Sequence, residues 1–258
     1  MTRHLLVVGA QRSGSTYLTG LLDAHPDITM ARPARPEPKV FLSAELTARG
    51  AQWYRSTYFA HASAESVLGE KSTSYLEDPR APARAAAVLG RPDIVAVLRD
   101  PVERAVSNWR FSTDHGPETR PLEAALRANL TGGCEPDWDR GETSVSPYAY
   151  LERGRFADLL SPWLDQFPDT AHVLFLADLL AGPEALAGLY ADLGVDPAFR
   201  PAAAGTPVNR SHHDVPSLPT RLEGELRAYF RDSDVALEKR LGRALPWPTA
   251  RAATGRAH

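Results

Sequence analysis

The chain is poor in sulfur and lacks long apolar runs, and each scarcity excludes a class of protein. Cys134 is the single cysteine among 258 residues, so an internal disulfide framework is excluded and we expect a reducing compartment. No stretch reaches the roughly 18 consecutive apolar residues of a membrane helix. A strand-like run starts so soon after Met1 that no signal peptide fits before it. We therefore predict a cytoplasmic protein without a membrane span.

A strong charge of either sign is also absent. The formal net charge is −3, which argues against a nucleic-acid partner but is compatible with a locally basic pocket. A chain of 258 residues can be served by one hydrophobic core. We expect one domain over residues 1–248 and a disordered tail at residues 249–258, and the sequence leaves the oligomeric state open.

Strand and helix patterns alternate along the chain. This alternation predicts an α/β fold in which helices flank a parallel sheet. The expected strands lie at residues 4–8, 67–70, 94–98 and at the start of 172–180. The expected helices lie at residues 14–24, 79–89, 101–112, 121–130, 149–167, 183–193, 219–230 and 233–241. Because ligands of such sheets bind at the carboxyl ends of the strands, the loops after Val8, Gly69 and Leu98 should meet in one crevice.

The loop after the first strand has the composition of an anion site. In "LLVVGAQRSGSTYLTGLL", residues 5–22, an apolar strand, a Gly-rich turn and a helix follow one another, and the N–H groups at a helix N-terminus bind oxyanions. Gly9 and Gly14 have the spacing of the phosphate loop GxxxxGK[ST], but Ser15 replaces its lysine and Arg12 supplies a cation from within the loop. The alternative is a βα turn that binds nothing.

A second candidate segment is "VLRDPVERAVSNWRFS", residues 97–112. Arg99 leaves the end of a buried strand, and Ser107 lies on the first turns of the next helix. A guanidinium and a hydroxyl suit phosphate oxygens. The alternative for Arg99 is an ion pair with Asp100 or Glu103 at the helix start.

These two segments together resemble the nucleotide-binding signatures of sulfotransferases that use 3′-phosphoadenosine-5′-phosphosulfate (PAPS). Between them, "EPKVF" at residues 37–41 and the block from "GEKSTSY" to "LRDP" are similar to heparan-sulfate-type and bacterial members. Later, "RGRFADLLSPWLDQFPDTAHVLFLADLL" and "LEKRLGRALPW" resemble a helix, a strand and the terminal helix of that group. The likeness spans most of the chain.

The resemblance implies a P-loop-like fold that transfers a sulfuryl group from PAPS to an acceptor hydroxyl or, as second choice, an amine. Adenosine 3′,5′-bisphosphate would be the product, and no metal is expected. Many heparan-sulfate-type members have lysine where this chain has Arg12; arginine keeps its charge at ordinary pH, so we expect a charge clamp and not an acid. The implied donor-binding residues are Gln11, Arg12, Ser13, Gly14, Ser15, Thr16, Arg99 and Ser107.

The resemblance also places a carboxylate, Glu37, across from the sulfate, where it would act as general base on the acceptor. Pro36 and Pro38 hold Glu37 on an extended segment. Lys39 and Lys71 would be further cations of the cleft, on the acceptor or sulfate side. By local sequence alone, Glu37 could be a solvated loop residue and both lysines ordinary surface residues.

Two other functions compete with sulfuryl transfer. A small-molecule or nucleoside kinase would share the fold class, but the lysine of the phosphate loop is missing and no clear acidic strand end could hold Mg²⁺. A non-catalytic nucleotide-binding module is the second alternative. The joint presence of Arg12, Glu37, Arg99 and Ser107 argues against it.

The acceptor is less defined than the donor. We expect a bacterial small molecule or a sugar or lipid glycoconjugate, bound by loops at residues 30–65, 112–148 and 200–220. The aromatic residues of "WYRSTYF", residues 53–59, could line such a pocket or could be core packing. His115 could line the acceptor side or cap a helix. His212 and His213 lack the cysteine or acidic spacing of a zinc site.

Overall fold

A computed structural model describes residues 2–132, 137–138, 145–202 and 217–249. Its strands are β1 (Arg3–Gly9), β2 (Ile28–Met30), β3 (Val67–Lys71), β4 (Asp93–Leu98) and β5 (Ala171–Phe175). Its α-helices are α1 (Ser15–Asp23), α2 (Ala44–Ala48), α3 (Gly50–Tyr58), α4 (Ala81–Leu89), α5 (Pro101–Asp114), α6 (Leu122–Leu130), α7 (Phe156–Gln166), α8 (Leu176–Ala181), α9 (Ala187–Leu193) and α10 (Thr220–Leu241). Strands and helices thus alternate through the first half of the chain.

The five strands form one parallel sheet in the order β2-β3-β1-β4-β5. β1 pairs with β3 from Arg3 opposite Val67 and with β4 from Leu5 opposite Asp93. β4 is buried along its whole length and β1 from its second residue onward, as apolar runs in a sheet covered on both faces require. The predicted α/β fold with a parallel sheet and flanking helices is confirmed.

The chain divides into two compact units. The first comprises residues 1–99 and 159–212 and holds the whole sheet; the second comprises residues 100–158 and 213–258. In the first unit, a core cluster joins strand residues such as Val7 and Val95 to Leu18 of α1 and Leu189 of α9. This core fixes the loop between β1 and α1. The expectation of one domain over residues 1–248 stays a prediction.

The second unit has a separate helical core. Side chains of α5, α6 and α10, among them Val102, Leu126 and Phe230, pack together. The buried carboxylate of Glu118 accepts hydrogen bonds from Arg120 Nη2 at 2.7 Å and from the Tyr150 hydroxyl at 2.8 Å. The buried charge of Glu118 thus has hydrogen-bond partners, as buried charges in folded proteins generally do.

Several element boundaries differ from the sequence prediction. β2, α2 and α3 were not expected. The helix expected at residues 149–167 begins at Phe156, after a separate 3₁₀ turn at Glu152–Gly154. The helices expected at residues 219–230 and 233–241 are one helix, α10. Arg231 and Asp232, between them, are neither glycine nor proline, so the helix continues.

Candidate active site

The loop between β1 and α1 requires glycine at its last position. Gly14 has φ +94°, and a Cβ there would lie 2.6 Å from Leu176 Cδ1. Only glycine adopts this conformation without strain, and any side chain would push against Leu176. The second glycine of the motif is therefore needed for the local geometry by which the chain enters α1.

The N-terminus of α1 has the features of an oxyanion site. Among the residues that the structure describes, no side chain caps this end of the helix, so its first N–H groups and the helix dipole can act on a ligand. Ser13 is fully buried, and its Oγ has no hydrogen-bond partner among the described residues. An unsatisfied buried hydroxyl calls for a ligand or water. Arg12, with φ 65°, is exposed on the same loop, and Ser15 and Thr16 form the first turn.

Gln11 connects this loop to the segment that follows β3. Its Nε2 donates to Ser74 Oγ at 3.4 Å. β1 and β3 are neighbouring parallel strands, so the two segments leave the sheet at the same edge. That the loops after Val8, Gly69 and Leu98 together form one crevice stays a prediction.

Glu37 lies among hydrogen-bond donors and beside a cation. The Thr73 N–H donates to Glu37 Oε2 at 2.9 Å, and the Thr73 hydroxyl donates to the same oxygen at 3.2 Å. The Lys71 ammonium is 3.0 Å from Glu37 Oε1. Both side chains of this ion pair are largely buried, at 13% exposure for Lys71 and 17% for Glu37. A solvated loop glutamate, the alternative considered above, does not describe this residue.

Lys71 also contacts the first turn of α1, which follows the loop between β1 and α1. Its Nζ donates to Thr16 Oγ1, in the first turn of α1, at 3.2 Å. One ammonium group thus joins a carboxylate to the N-terminus of the helix where an oxyanion would bind. Of the predicted set, the structure therefore brings Thr16, Glu37 and Lys71 into direct contact.

Lys39 contacts the segment after β3 through its main-chain N–H. Its N–H donates to Ser72 Oγ at 2.9 Å, and its φ is 52°. Its half-buried side chain has no described contact with Glu37. The role of its ammonium group stays a prediction.

A buried glutamate beneath this cluster escaped the sequence analysis. Glu70, on β3, has no exposed surface and accepts from the Tyr54 hydroxyl at 2.6 Å and from Ser72 Oγ at 2.5 Å. Burial raises its pKa; the hydrogen bonds from Ser72, Tyr54 and Tyr75 oppose that rise, and the charge of Glu37 adds to it. A glutamate at the end of an apolar strand was the signal that could have revealed it, because such a carboxylate must find partners.

The two tyrosines on Glu70 respond to the same environment. Burial, followed by the charge of Glu70, raises the pKa of Tyr54 and of Tyr75 well above the ordinary value. Both hydroxyls therefore stay protonated and keep donating. Tyr54 and Phe59 are buried, so for these two residues core packing is the correct interpretation of "WYRSTYF"; Trp53 and Tyr58 are half-buried.

The remaining predicted residues lie apart from this cluster in the chain. Arg99 is half-buried directly after β4, in the first unit, and Ser107 is half-buried on α5, in the second. Their assignment to the donor stays a prediction. His115 follows α5, places its Nδ1 2.8 Å from the Phe111 carbonyl oxygen and stacks on the Phe111 ring, as a helix-end residue does.

Three residues discussed from sequence, Cys134, His212 and His213, lie outside the described residues, as do parts of two candidate acceptor loops. Within the ranges that the structure describes, no group of three His, Cys, Asp or Glu side chains could hold a metal ion. Over the same ranges, no helix combines the length and apolar character needed to cross a membrane.

Comparison with known proteins identifies the family of the chain. The family model of the sulfotransferase domain matches residues 2–177, which is more than half of the chain. The chain therefore belongs to the sulfotransferase family, and the predicted enzyme class, a sulfotransferase, is confirmed. Membership in this family argues against the kinase alternative.

Individual relatives agree with this family, and a solved structure shares the fold. The chain is 34% identical over 165 residues to a bifunctional heparan sulfate N-deacetylase/N-sulfotransferase 1 of Caenorhabditis briggsae, covering 63% of this chain and 19% of that protein. It is 29% identical over 163 residues to mouse heparan sulfate glucosamine 3-O-sulfotransferase 3B1, covering 63% and 38%. The match thus spans well under half of these relatives. A sulfotransferase of Alicyclobacillus acidocaldarius shares the fold, with TM-score 0.76 and 23% identity over 95% of this chain and 98% of that one.

Proposed function

We propose that the protein transfers a sulfuryl group from PAPS to a hydroxyl of a small-molecule or glycoconjugate acceptor, with an amine as the second choice. The observation that carries the proposal is the position of Lys71, whose ammonium contacts both Glu37 Oε1 at 3.0 Å and Thr16 Oγ1 at 3.2 Å. A potential base is thereby held next to the helix N-terminus that would bind the donor. Family membership supplies the reaction class.

The residues of the β1–α1 loop fit the 5′-phosphosulfate of PAPS. The uncapped start of α1, the buried Ser13 hydroxyl and the Thr16 hydroxyl offer neutral donors to its oxygens. PAPS brings the activated sulfuryl group and a phosphate that must leave with added negative charge. Arg12, which stays charged at any ordinary pH, would neutralise that charge from the exposed side of the loop.

Glu37 would act as the general base. An acceptor hydroxyl is a weak nucleophile until its proton is taken, and a carboxylate within hydrogen-bond reach can take it. The Thr73 N–H and the Lys71 ammonium hold the Glu37 carboxylate in position to accept that proton. Lys71 would then face both the carboxylate and the sulfate oxygens.

Arg99 would bind the 3′-phosphate, the group that separates PAPS from ordinary adenosine nucleotides. It follows the carboxyl end of β4, the edge of a parallel sheet at which ligands bind. A guanidinium matches phosphate oxygens in geometry as well as charge. The assignment of Ser107 to the same phosphate comes from the family resemblance.

The names of these relatives suggest the first acceptors to try. They describe transfer to heparan sulfate, at a nitrogen in one case and at a glucosamine 3-hydroxyl in the other. Glucosamine oligosaccharides with unmodified amines and hydroxyls therefore serve as first substrates. To test small-molecule acceptors, the protein is incubated with PAPS and a metabolite extract. Mass spectrometry then shows whether any metabolite has gained the mass of a sulfate group.

A thermal-shift comparison tests the donor. A ligand present at 100 times its Kd stabilises the native state by about 2.7 kcal/mol. Adenosine 3′,5′-bisphosphate should raise the melting temperature, whereas AMP, or ATP with Mg²⁺, at equal concentration should raise it far less. Equal stabilisation by AMP and by the bisphosphate would contradict a PAPS site.

A further inference from the structure

Glu70 is the centre of a hydroxyl cluster inside the first unit. It lies on β3, between β2 and β1, with no exposed surface. Three hydroxyls reach its carboxylate: Tyr54 at 2.6 Å, Ser72 at 2.5 Å, and Tyr75. No ion pair joins Glu70 to a lysine or arginine among the described residues. Burying a carboxylate whose partners are only hydroxyls costs free energy, so we expect a function of Glu70 in its contacts.

Two of these hydroxyls relay the position of Glu70 to the main chain. Ser72 Oγ accepts the Lys39 N–H at 2.9 Å, and the Tyr75 hydroxyl accepts the Phe41 N–H at 3.3 Å. A hydroxyl has one proton; that of Ser72 is donated to Glu70 at 2.5 Å, and the Tyr75 hydroxyl is a further hydrogen-bond partner of Glu70. The carboxylate thus orients two acceptors, and each acceptor holds one amide of the same short segment.

That segment carries the proposed base. Lys39 starts a 3₁₀ turn with φ 52°, a left-handed conformation that a non-glycine residue keeps only when surrounding contacts impose it. Glu37 stands two residues earlier and accepts the Thr73 N–H at 2.9 Å. The segment and its carboxylate are therefore fixed to the chain that continues from β3.

We propose that Glu70 is a positioning residue for the sulfuryl-transfer site: through Ser72 and Tyr75 it fixes residues 37–41 and so places the Glu37 carboxylate. The catalytic meaning of this role rests on the proposed function of Glu37. That Glu70 fixes the conformation of residues 37–41 does not depend on the proposed function of Glu37.

Amide exchange measured by NMR on the full chain tests the proposal. Ser72→Ala and Tyr54→Phe are a matched pair: each removes one hydroxyl from Glu70, but only Ser72 also holds an amide of residues 37–41. The Lys39 amide should exchange about fivefold faster or more in Ser72→Ala, as expected for the loss of one hydrogen bond. In Tyr54→Phe, Lys39 and Thr73 should keep their wild-type protection.

The Thr73 amide reports the placement of Glu37 itself. The Glu70→Gln variant replaces the two carboxylate oxygens by a single amide oxygen, which cannot accept hydrogen bonds from all the surrounding hydroxyls. The amides of Lys39 and Thr73 should therefore both exchange faster. Glu37→Gln gives the reference for a weakened Thr73 contact. The Ile94 amide, bonded to the Thr170 carbonyl in the sheet at 2.8 Å, corrects each variant for changes in global stability.

Wild-type protection of Lys39 in Ser72→Ala, or equal loss in Tyr54→Phe, would overturn the proposal. Loss confined to Lys39, with Thr73 unchanged in Glu70→Gln, would overturn the link to Glu37. None of these measurements needs PAPS or an acceptor. A failure of the proposed function would instead be seen as full turnover in a variant without the Glu37 carboxylate, so the two failures are distinguishable.

Discussion

Two buried glutamates, one in each compact unit, are held in opposite ways. Glu118, in the second unit, binds the Arg120 guanidinium through two contacts, at 3.0 and 2.7 Å, in addition to the Tyr150 hydroxyl. Glu70, in the first unit, binds hydroxyls. Burial raises the pKa of Glu118, but the hydrogen bonds and charge of Arg120 outweigh it, so its pKa is lowered; the pKa of Glu70 is raised.

The difference shows how one residue type serves two purposes. A carboxylate paired with a guanidinium stabilises its own surroundings and needs nothing further. A carboxylate that accepts only hydroxyl protons orients those hydroxyls toward other acceptor contacts, as Ser72 and Tyr75 do for residues 37–41. We interpret Glu118 as structural and Glu70 as support for the site.

The largest effect should follow from removing the carboxylate that Glu70 supports. Glu37→Ala should lower turnover by roughly 10² to 10⁴, the usual contribution of a general base, while calorimetry with adenosine 3′,5′-bisphosphate gives nearly unchanged affinity. Glu45→Ala is the matched control, because that carboxylate, on α2, is 82% exposed. Wild-type turnover in the Glu37 variant would remove this residue from the mechanism.

The next effect concerns donor selectivity. Arg99→Ala should reduce the preference for adenosine 3′,5′-bisphosphate over AMP by roughly 10-fold to 10²-fold, since a charged hydrogen bond is worth about 1.5–3 kcal/mol. Titration calorimetry of both ligands measures it. Arg91→Ala is the control, because Arg91 is exposed and paired with Asp169. If Arg99→Ala lowers the affinity for both nucleotides equally, Arg99 does not bind the 3′-phosphate.

The sequence predicted the parts of the site that reside in contiguous motifs. The loop holding Arg12 to Thr16 was identified from its local pattern of strand, Gly-rich turn and helix, whereas Glu37 and Lys71 were proposed only through the family resemblance. The Lys71 contact to Thr16 and the hydroxyls around Glu70 were not predicted. They join side chains 55 and 16 residues apart, and such pairings depend on which strands become neighbours in the sheet.

A third test concerns stability in the second unit. Glu118→Gln should lower the free energy of unfolding by about 1.5–3 kcal/mol at neutral pH, because Arg120 loses its charged acceptor. Urea denaturation measures this change, and the affinity for adenosine 3′,5′-bisphosphate should stay at the wild-type value. A variant as stable as the wild type would mean that the ion pair only offsets its own cost of burial.

The smallest effect is a difference in pH dependence between the two glutamates, and it follows from the signs of their pKa shifts. Both have an ordinary pKa of 4.5. The folded state holds the Glu70 proton more tightly than the unfolded state, so its contribution to stability falls as pH rises above about 4.5 toward its folded pKa. Glu118 behaves oppositely: its contribution is present above about 4.5 and is lost as pH falls below that value toward its folded pKa.

Unfolding free energies of the wild type, Glu70→Gln and Glu118→Gln between pH 3 and pH 7 separate the two. The difference between wild type and Glu70→Gln should shift in favour of the variant as pH rises above about 4.5. The difference between wild type and Glu118→Gln should shift in favour of the variant as pH falls below it. Each shift is bounded by about 1.4 kcal/mol per pH unit for one proton. Parallel curves for the two variants would mean that hydroxyls and a guanidinium hold a buried carboxylate equally well, and the contrast between the units would disappear.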